Sequence, residues 1–457
     1  MPYMPQDSEK NPDIQHLLEQ AQQQGDDASV QMLLDAYHPS DIADALEAMP
    51  RELRVQLWQN IEADKKGEIL TEVHGEVREQ LINSSSEKEL VDALAGLQPD
   101  ELADIDEKLP DSVVDKMLAG MDATQKFRYE SVRRYPDDTA GGLMDIDAVT
   151  ISPDDTLLNV LNEIRELRKR EGAVPEHLES VMVVDAQNYY LGALRLSDAV
   201  SLSPKSRVGD VMDTGVPAIE VMTPANKVAQ LFENLDLISA PVVNEVGQLL
   251  GRITVDDVID VIRGQSEHTI MSQAGLNRDM DMFAPLMQSA FRRNVWLSAN
   301  LVNAFIAAYV IDLFSASIQQ IVALAVLMPV IASMGGVAGN QSLALVTRGL
   351  ALDQVKSSNA RRLLLRETAL GMINGLFWAS VVTLVIIYWF DNLSLGLVFA
   401  VALIINLLTA ALAGTLVPLV LNKAGIDPAL AGGVLLMAVT DVVGFSAFLG
   451  LATLILL

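Results

Sequence analysis

The chain has 457 residues, half of them hydrophobic, and a formal net charge of −28. Such a chain must be segregated: residues 1–272 hold 52 of the 60 acidic and 23 of the 32 basic residues, and residues 273–457 are near neutral. The acidic balance excludes a nucleic-acid partner, whose phosphates need Lys and Arg, and the absence of cysteine excludes disulfides, thiolate metal sites and cysteine nucleophiles.

The opening MPYMPQDSEKNPD has no basic n-region and no apolar h-region. No cleavable signal is expected, and the acidic part is expected to stay in the cytoplasm. Residues 1–135 then read as an all-α, superhelical acidic domain of stacked amphipathic helices. His38-Pro39-Ser40-Asp41-Ile42-Ala43-Asp44 recurs 60 residues later as Gln98-Pro99-Asp100-Glu101-Leu102-Ala103-Asp104, the mark of repeated helix pairs. Asp100 and Asp104 share a helix face and repel each other. They suit either a hydrated cation or plain solvation. His16, His38 and His74 have no metal-ligand spacing and read as surface or packing residues.

The period changes over residues 136–264. Val181–Asp185 and Leu191–Arg195 are short strands joined by a polar turn, and the unit returns 59 residues later at Pro241–Asn244 and Leu249–Ile253. Residues 157–167 and 228–235 are matching helices. Two repeats, 136–200 and 201–264, each helix-strand-strand-helix, are expected to pack as a pseudo-dimer. They resemble a pair of CBS domains. Gly251-Arg252-Ile253-Thr254-Val255-Asp256-Asp257 has the Gly-x-x-Thr-x-x-Asp form that holds adenosine ribose in such pairs, which leaves ATP open as a ligand. The first copy, Gly192 to Asp198, has Arg195 at the Thr position, which weakens that site.

Residues 265–293 read as the end of a connecting helix over 255–272, followed by an amphipathic segment over 280–293. Residues 294–457 carry five apolar stretches, 295–314, 319–347, 364–390, 395–421 and 430–457, each long enough to cross a bilayer. Arg292, Arg293, Arg348, Lys356, Arg361, Arg362, Arg366 and Lys423 fall on one side of these spans. The opposite loops carry Asp312 and Asp391 and no base. The basic side faces the cytoplasm, so the N-terminus is expected inside and the C-terminus outside.

The last span has one charge, Asp441, roughly 15–20 Å deep. An acid there costs at least ~2.5 kcal/mol and faces a water-filled path or a partner. The plain alternative is a structural hydrogen bond to a neighbouring helix. The second span contains Pro329, Gly335, Gly336 and Gly339, then Asn340 and Gln341. The glycines permit close helix approach or a local opening of the helix. Asn340 and Gln341 suit either the water shell of an ion or helix contact. Asn300, Asn303, Asn406 and Thr409 read as helix contacts, and Pro418 as a kink.

This order of parts, with Pro329…Gly335-Gly336…Gly339-Asn340-Gln341, Asp427-Pro428-Ala429 and Thr440-Asp441-Val442-Val443-Gly444, closely resembles the bacterial MgtE magnesium channels over nearly the whole chain. The resemblance implies a homodimer in the bacterial inner membrane, in contact with lipid. The pore would lie on the two-fold axis, lined mainly by spans two and five. Asp441 of each subunit would hold hydrated Mg²⁺ by its water shell, beside main-chain oxygens near Met437 and Ala438, with Asn340 in the pore. It also implies cytoplasmic regulatory Mg²⁺ between acids, matched here by Asp100, Asp104, Asp236, Asp256, Asp257 and Asp260. Three departures bear on closure and pore. Gln265-Ser266-Glu267-His268-Thr269 stands where an acidic run is usual, Asn226 and Lys227 where Glu is often found, and Val337 in place of a frequent Asn. Closure by magnesium is therefore expected to be weaker than is typical. The competing readings are an ion-coupled secondary transporter of divalent cations such as Mg²⁺, Co²⁺ and Mn²⁺, and a CBS-regulated anion channel. The second suits a lone intramembrane Asp poorly. No catalytic constellation is present, so an enzyme is not expected.

Overall fold

The computed structural model describes residues 14–457 except 25, 98, 173, 175–177, 278, 353 and 357, with the backbone alone at 23, 99, 100, 104, 107 and 171. The chain divides into two compact units, Met1–Glu267 with Asp279–Ala284, and His268–Arg278 with Pro285–Leu457.

The first unit opens with short helices: α1 (Ile14–Gln23), α2 (Asp27–Ala36), α3 (Pro39–Glu47), α4 (Arg51–Asn60), α5 (Ala63–Glu72), α6 (Gly75–Ser84), α7 (Glu87–Leu94), α8 (Pro99–Ile105), α9 (Asp111–Gly120) and α10 (Ala123–Arg133). The matched repeats start helices α3 and α8, each with Pro in the first turn, where its missing N–H is no loss. His38 is a cap: its Nδ1 accepts from Ser40 N at 3.3 Å. One apolar core, including Leu46, Trp58, Leu70, Leu94, Leu102 and Tyr129, runs through these helices.

Arg54 is fully buried within this layer. It donates to the carbonyls of Leu46 and Met49 at 2.8 and 2.9 Å. Its Nη1 and Nη2 also reach Asp281 Oδ2 and Oδ1, at 2.7 and 3.0 Å. Residues 279–284 are thereby part of this unit, and Asp281 N donates back to Glu76 Oε2 at 3.2 Å. The amphipathic segment expected over 280–293 is not a separate element. Pro285 caps a helix that starts at Leu286 and runs on as the first span.

Two three-stranded sheets follow. The first holds β1 (Thr150–Ile151), β2 (Ser180–Val184) and β3 (Tyr190–Arg195), with helices α11 (Leu157–Glu171) and α12 (Leu196–Ser201). After α13 (Val208–Val211), the second holds β4 (Ile219–Glu220), β5 (Ser239–Val243) and β6 (Leu249–Thr254), with α14 (Ala225–Leu235) between β4 and β5. In each, the outer short strand is parallel to the middle one and the third is antiparallel. The two-residue strands β1 and β4 are too short to announce themselves by periodicity, so each unit has one strand more than expected.

The duplication extends to irregularities. The register shift at Val183/Val184 recurs at Val242/Val243. The hairpin turns place Asn188 at φ 66° and Gly247 at φ 89°, the left-handed region that favours these two residues. The repeats also interleave. Asp145 and Arg252 exchange backbone hydrogen bonds at 2.8 Å, and Ala140 and Met144 enter the core of the second sheet. Asp213 in turn pairs with Ala193 on β3. Helix α15 (Val255–Gln273) leaves the second sheet.

The second unit is an apolar helical bundle: α16 (Leu286–Asp312), α17 (Ser315–Gln320), α18 (Ala323–Ala351), α19 (Ala360–Phe390), α20 (Leu393–Lys423) and α21 (Pro428–Leu456). All but α17 are long and apolar enough to span a membrane, as the five expected stretches require. Helix α20 is the central post: α18, α19 and α21 all pack on it, and Phe399, Leu403 and Leu407 are buried there.

Candidate functional site

Helix α18 stays helical through Gly335, Gly336 and Gly339, so they open no gap: Gly335 and Gly339 serve close approach to Asn406 and Leu436, while Gly336 has no neighbour within 4 Å of where a Cβ would stand. Asn406 of α20, with no exposed surface, lies against Gly335 of α18 and Gly444 of α21. Its Nδ2 donates to Ile331 O at 2.8 Å. Asn303 of α16 donates to Val434 O of α21 at 2.9 Å. Both are helix contacts. Asn300 and Thr409 bond within their own helices, to Trp296 O and Ile405 O. Gly414 of α20 meets the Gly339 carbonyl, and Gly432 of α21 meets Leu343. Three helices are thus drawn together at small residues, which fixes the rotation of α18 and α21.

That rotation decides which side chains the bundle leaves outside. On α18, Val337, Asn340 and Gln341 are exposed. On α21, Met437 is 43 % exposed, and Ala438 and Asp441 are half-buried. Asp441 lies near the middle of the 29-residue α21, roughly 20 Å along its axis. Among the described residues it has no hydrogen bond or ion pair. The structural alternative for this acid, a bond to a neighbouring helix, therefore has no partner within the bundle. Thr440, fully buried beside it, donates to the carbonyls of Leu436 and Met437, each at 3.1 Å.

In the first unit, Asp256, Asp257 and Asp260 sit on the first turns of α15, and Asp236 ends α14 in the left-handed conformation at φ 50°. Asp100 and Asp104 lie on α8, and their side chains fall outside the described residues. Asp257 accepts from Thr254 N and Oγ1 at 3.3 and 3.1 Å. Its carboxyl is pushed up to about 6, first by burial and then by the neighbouring Asp256 and Asp145 charges, against the lowering effect of the Thr254 bonds. Asp145 thus joins the acids that sequence reasoning assembled, and Arg252 pairs with it at 3.2 Å. In the first repeat, Arg195 turns instead to Asp213 at 3.2 Å. Among the described residues, no three His, Asp or Glu side chains converge as a ready metal cage.

Two further acids have no role assigned from the sequence: Asp427, named there only within the Asp427-Pro428-Ala429 motif, and Glu367. Asp427 caps α21, with Oδ1 accepting from Ala429 N at 2.8 Å. Its Oδ2 is buried and 3.8 Å from His268 Nε2. Glu367 of α19 is 5 % exposed and accepts from Ser342 Oγ of α18 at 2.8 Å.

Comparison with known proteins bears on this arrangement. Residues 328–451 match the family model described as MgtE, divalent cation transporter. Residues 37–138 match the MgtE intracellular N domain, and residues 208–264 match the CBS domain. The chain is similar to the magnesium transporter MgtE of Bacillus subtilis, 28 % identical over 92 % of both chains, and to that of Thermus thermophilus, 28 % identical over 96 % of this chain and 98 % of the other. It is 30 % identical to the magnesium transporter MgtE of Enterococcus faecalis, over 70 % of this chain and 69 % of that one. The chain belongs to the MgtE family. As a family member it is a multipass membrane protein of a divalent cation transporter family, built from a helical N-terminal domain, a CBS pair and five membrane helices. The residues matched by the divalent cation transporter model include Asn340, Met437, Ala438 and Asp441.

Proposed function

We propose that this MgtE-family chain forms a homodimeric, magnesium-selective channel that imports Mg²⁺ across the bacterial inner membrane. The observation that carries the reading is Asp441, a carboxylate at mid-helix depth on an outward face, without a partner inside its own bundle. Two copies facing each other across a two-fold axis would place two carboxylates on one path. Mg²⁺ sheds its water reluctantly, so the pair would hold the hydrated ion through its water shell, with Asn340 and the Met437 and Ala438 carbonyls as further acceptors. The basic residues on one side of the spans support a cytoplasmic N-terminus and an external C-terminus.

Gating follows from charge. Asp100, Asp104, Asp236, Asp256, Asp257 and Asp260 are the proposed acids of the cytoplasmic half. The Asp257 carboxyl is raised first by burial and then by the neighbouring Asp256 and Asp145 charges, so negative charge is gathered there. Mg²⁺ between such acids would relieve the repulsion and favour closure, while its loss would favour opening. His268 stands against Asp427 where an acid would create a further cation site, which supports a weaker closure than is usual in the family. In the second CBS repeat, the Thr254 hydroxyl and Asp257 carboxylate are in contact as a ribose site would need, and ATP is proposed there alone. The experiment is growth of a bacterial host without its own magnesium uptake. The parent chain should rescue growth in low magnesium, and Asp441→Ala should not. Rescue by an equally expressed Asp441→Ala protein would overturn the reading.

A further inference from the structure

A second polar site lies inside the bundle, apart from the face that carries Asp441. Between α18, α19 and α20 is a cavity of about 280 Å³, with Glu367 and Ser342 buried in its wall and Gln341, Arg366 and Asn374 at its exposed rim. Glu367 Oε2 is satisfied by Ser342, while its buried Oε1 has no hydrogen-bond partner among the described residues. A carboxylate so buried is costly unless paired. We propose that this cavity binds a single alkali cation, with Glu367 as its one anionic ligand and the oxygens of Ser342, Gln341 and Asn374 as neutral ligands.

The charge count selects the ion. One carboxylate neutralises one monovalent cation. Arg366 is exposed at the rim and stands outside that count; beside Glu367 itself, a divalent ion would leave one positive charge uncompensated in a low-dielectric pocket. The donors are all hard oxygens, suited to ions that exchange water readily. Entry is short: Glu367 lies seven residues into α19, roughly 10 Å from its start beside Arg361 and Arg362. Ser342 comes two residues after Asn340 on α18. An ion held by Glu367 and Ser342 would fasten α19 to the helix that carries the proposed pore asparagine.

The test uses the purified full-length chain in detergent, at constant pH and constant ionic strength set with N-methylglucamine chloride. Sodium or potassium chloride replaces it stepwise while the thermal unfolding midpoint is read. The parent should show a saturable rise of roughly 2–8 °C. Glu367→Gln, close in shape and able to keep the Ser342 bond, should show none. Ser342→Ala keeps the carboxylate and should need several-fold more alkali ion for the same rise, which serves if Glu367→Gln does not fold. Asp441→Asn should keep the full response while losing magnesium flux, so the two sites fail independently. A parent indifferent to both ions would overturn the proposal, as would an undiminished response in Glu367→Gln. A response to pH alone, abolished by Glu367→Gln, would identify a proton as the occupant and also overturn it.

Discussion

Gly335 offers a sharp test of how the membrane bundle is held together. A Cβ added there would meet the Asn406 side chain, with Cγ at 2.9 Å and Oδ1 at 3.0 Å. Asn406 cannot retreat toward α21, because Gly444 is the surface behind it. Gly335→Ala should therefore displace the amide from Ile331 O and lose an interhelical hydrogen bond of about 0.6–1.7 kcal/mol. Overpacking adds about 1–3 kcal/mol, and the better helix propensity of Ala returns about 1 kcal/mol. The net cost is roughly 1–4 kcal/mol. Gly336→Ala is the matched control, since its Cβ would meet nothing within 4 Å; it should be neutral or slightly stabilising. Equilibrium unfolding in mixed detergent micelles would read both. Asn406→Ala removes the obstruction, so the double variant Gly335→Ala/Asn406→Ala should lose less than the sum of the single losses. Equal stability of Gly335→Ala and Gly336→Ala, or strict additivity in the double variant, would refute this packing account.

Other outcomes follow from the cytoplasmic half and the connecting segment. Asp281→Ala leaves the Arg54 guanidinium buried without its carboxylate, and should destabilise the helical domain by about 3–5 kcal/mol in denaturant unfolding; a loss below ~1 kcal/mol would show that the pair contributes little. Asp257 has a folded pKa near 6 against an ordinary 3.8, so its ionised form is disfavoured in the fold. The penalty is absent below pH 4, grows between pH 4 and 6, and is complete above pH 6, reaching at most about 3 kcal/mol. Asp257→Asn should accordingly be more stable than the parent at pH 8 and indistinguishable from it near pH 4. A stability difference that does not change with pH would contradict this. His268→Glu would set a second carboxylate against Asp427, so magnesium should close the channel more steeply in flux assays at graded internal magnesium. An unchanged dose response would count against the weakened-closure proposal.

Much of this arrangement was legible because charge and apolarity are distributed so unevenly. Asp441 stands out as the lone charge of a long apolar run, and the 59-residue duplication predicted paired sheets down to their hairpin turns. What stayed hidden depends on contacts between distant segments. Glu367 follows Arg361, Arg362 and Arg366, so it reads as one more charge at a membrane edge. Only the packing of α18 on α19 shows it buried on Ser342. Asp145 lies in coil, and its place beside Asp257 arises from a single bridge to Arg252. The interleaved repeats escaped for the same reason: isolated bridges leave no periodic trace. The stretch before the first span is not one amphipathic element, because Pro285 begins a continuous helix and Asp281 binds Arg54 far upstream.

The most direct measurement is magnesium influx into liposomes holding the full-length chain, under an imposed membrane potential, for the parent and Asp441→Asn side by side. Asp and Asn differ little in shape, so the comparison isolates the charge. The parent should conduct Mg²⁺ along its gradient, and Asp441→Asn, equally folded, should lose conduction or its preference for Mg²⁺. Unchanged magnesium influx and selectivity in Asp441→Asn would contradict the claim that this half-buried carboxylate holds the permeating ion.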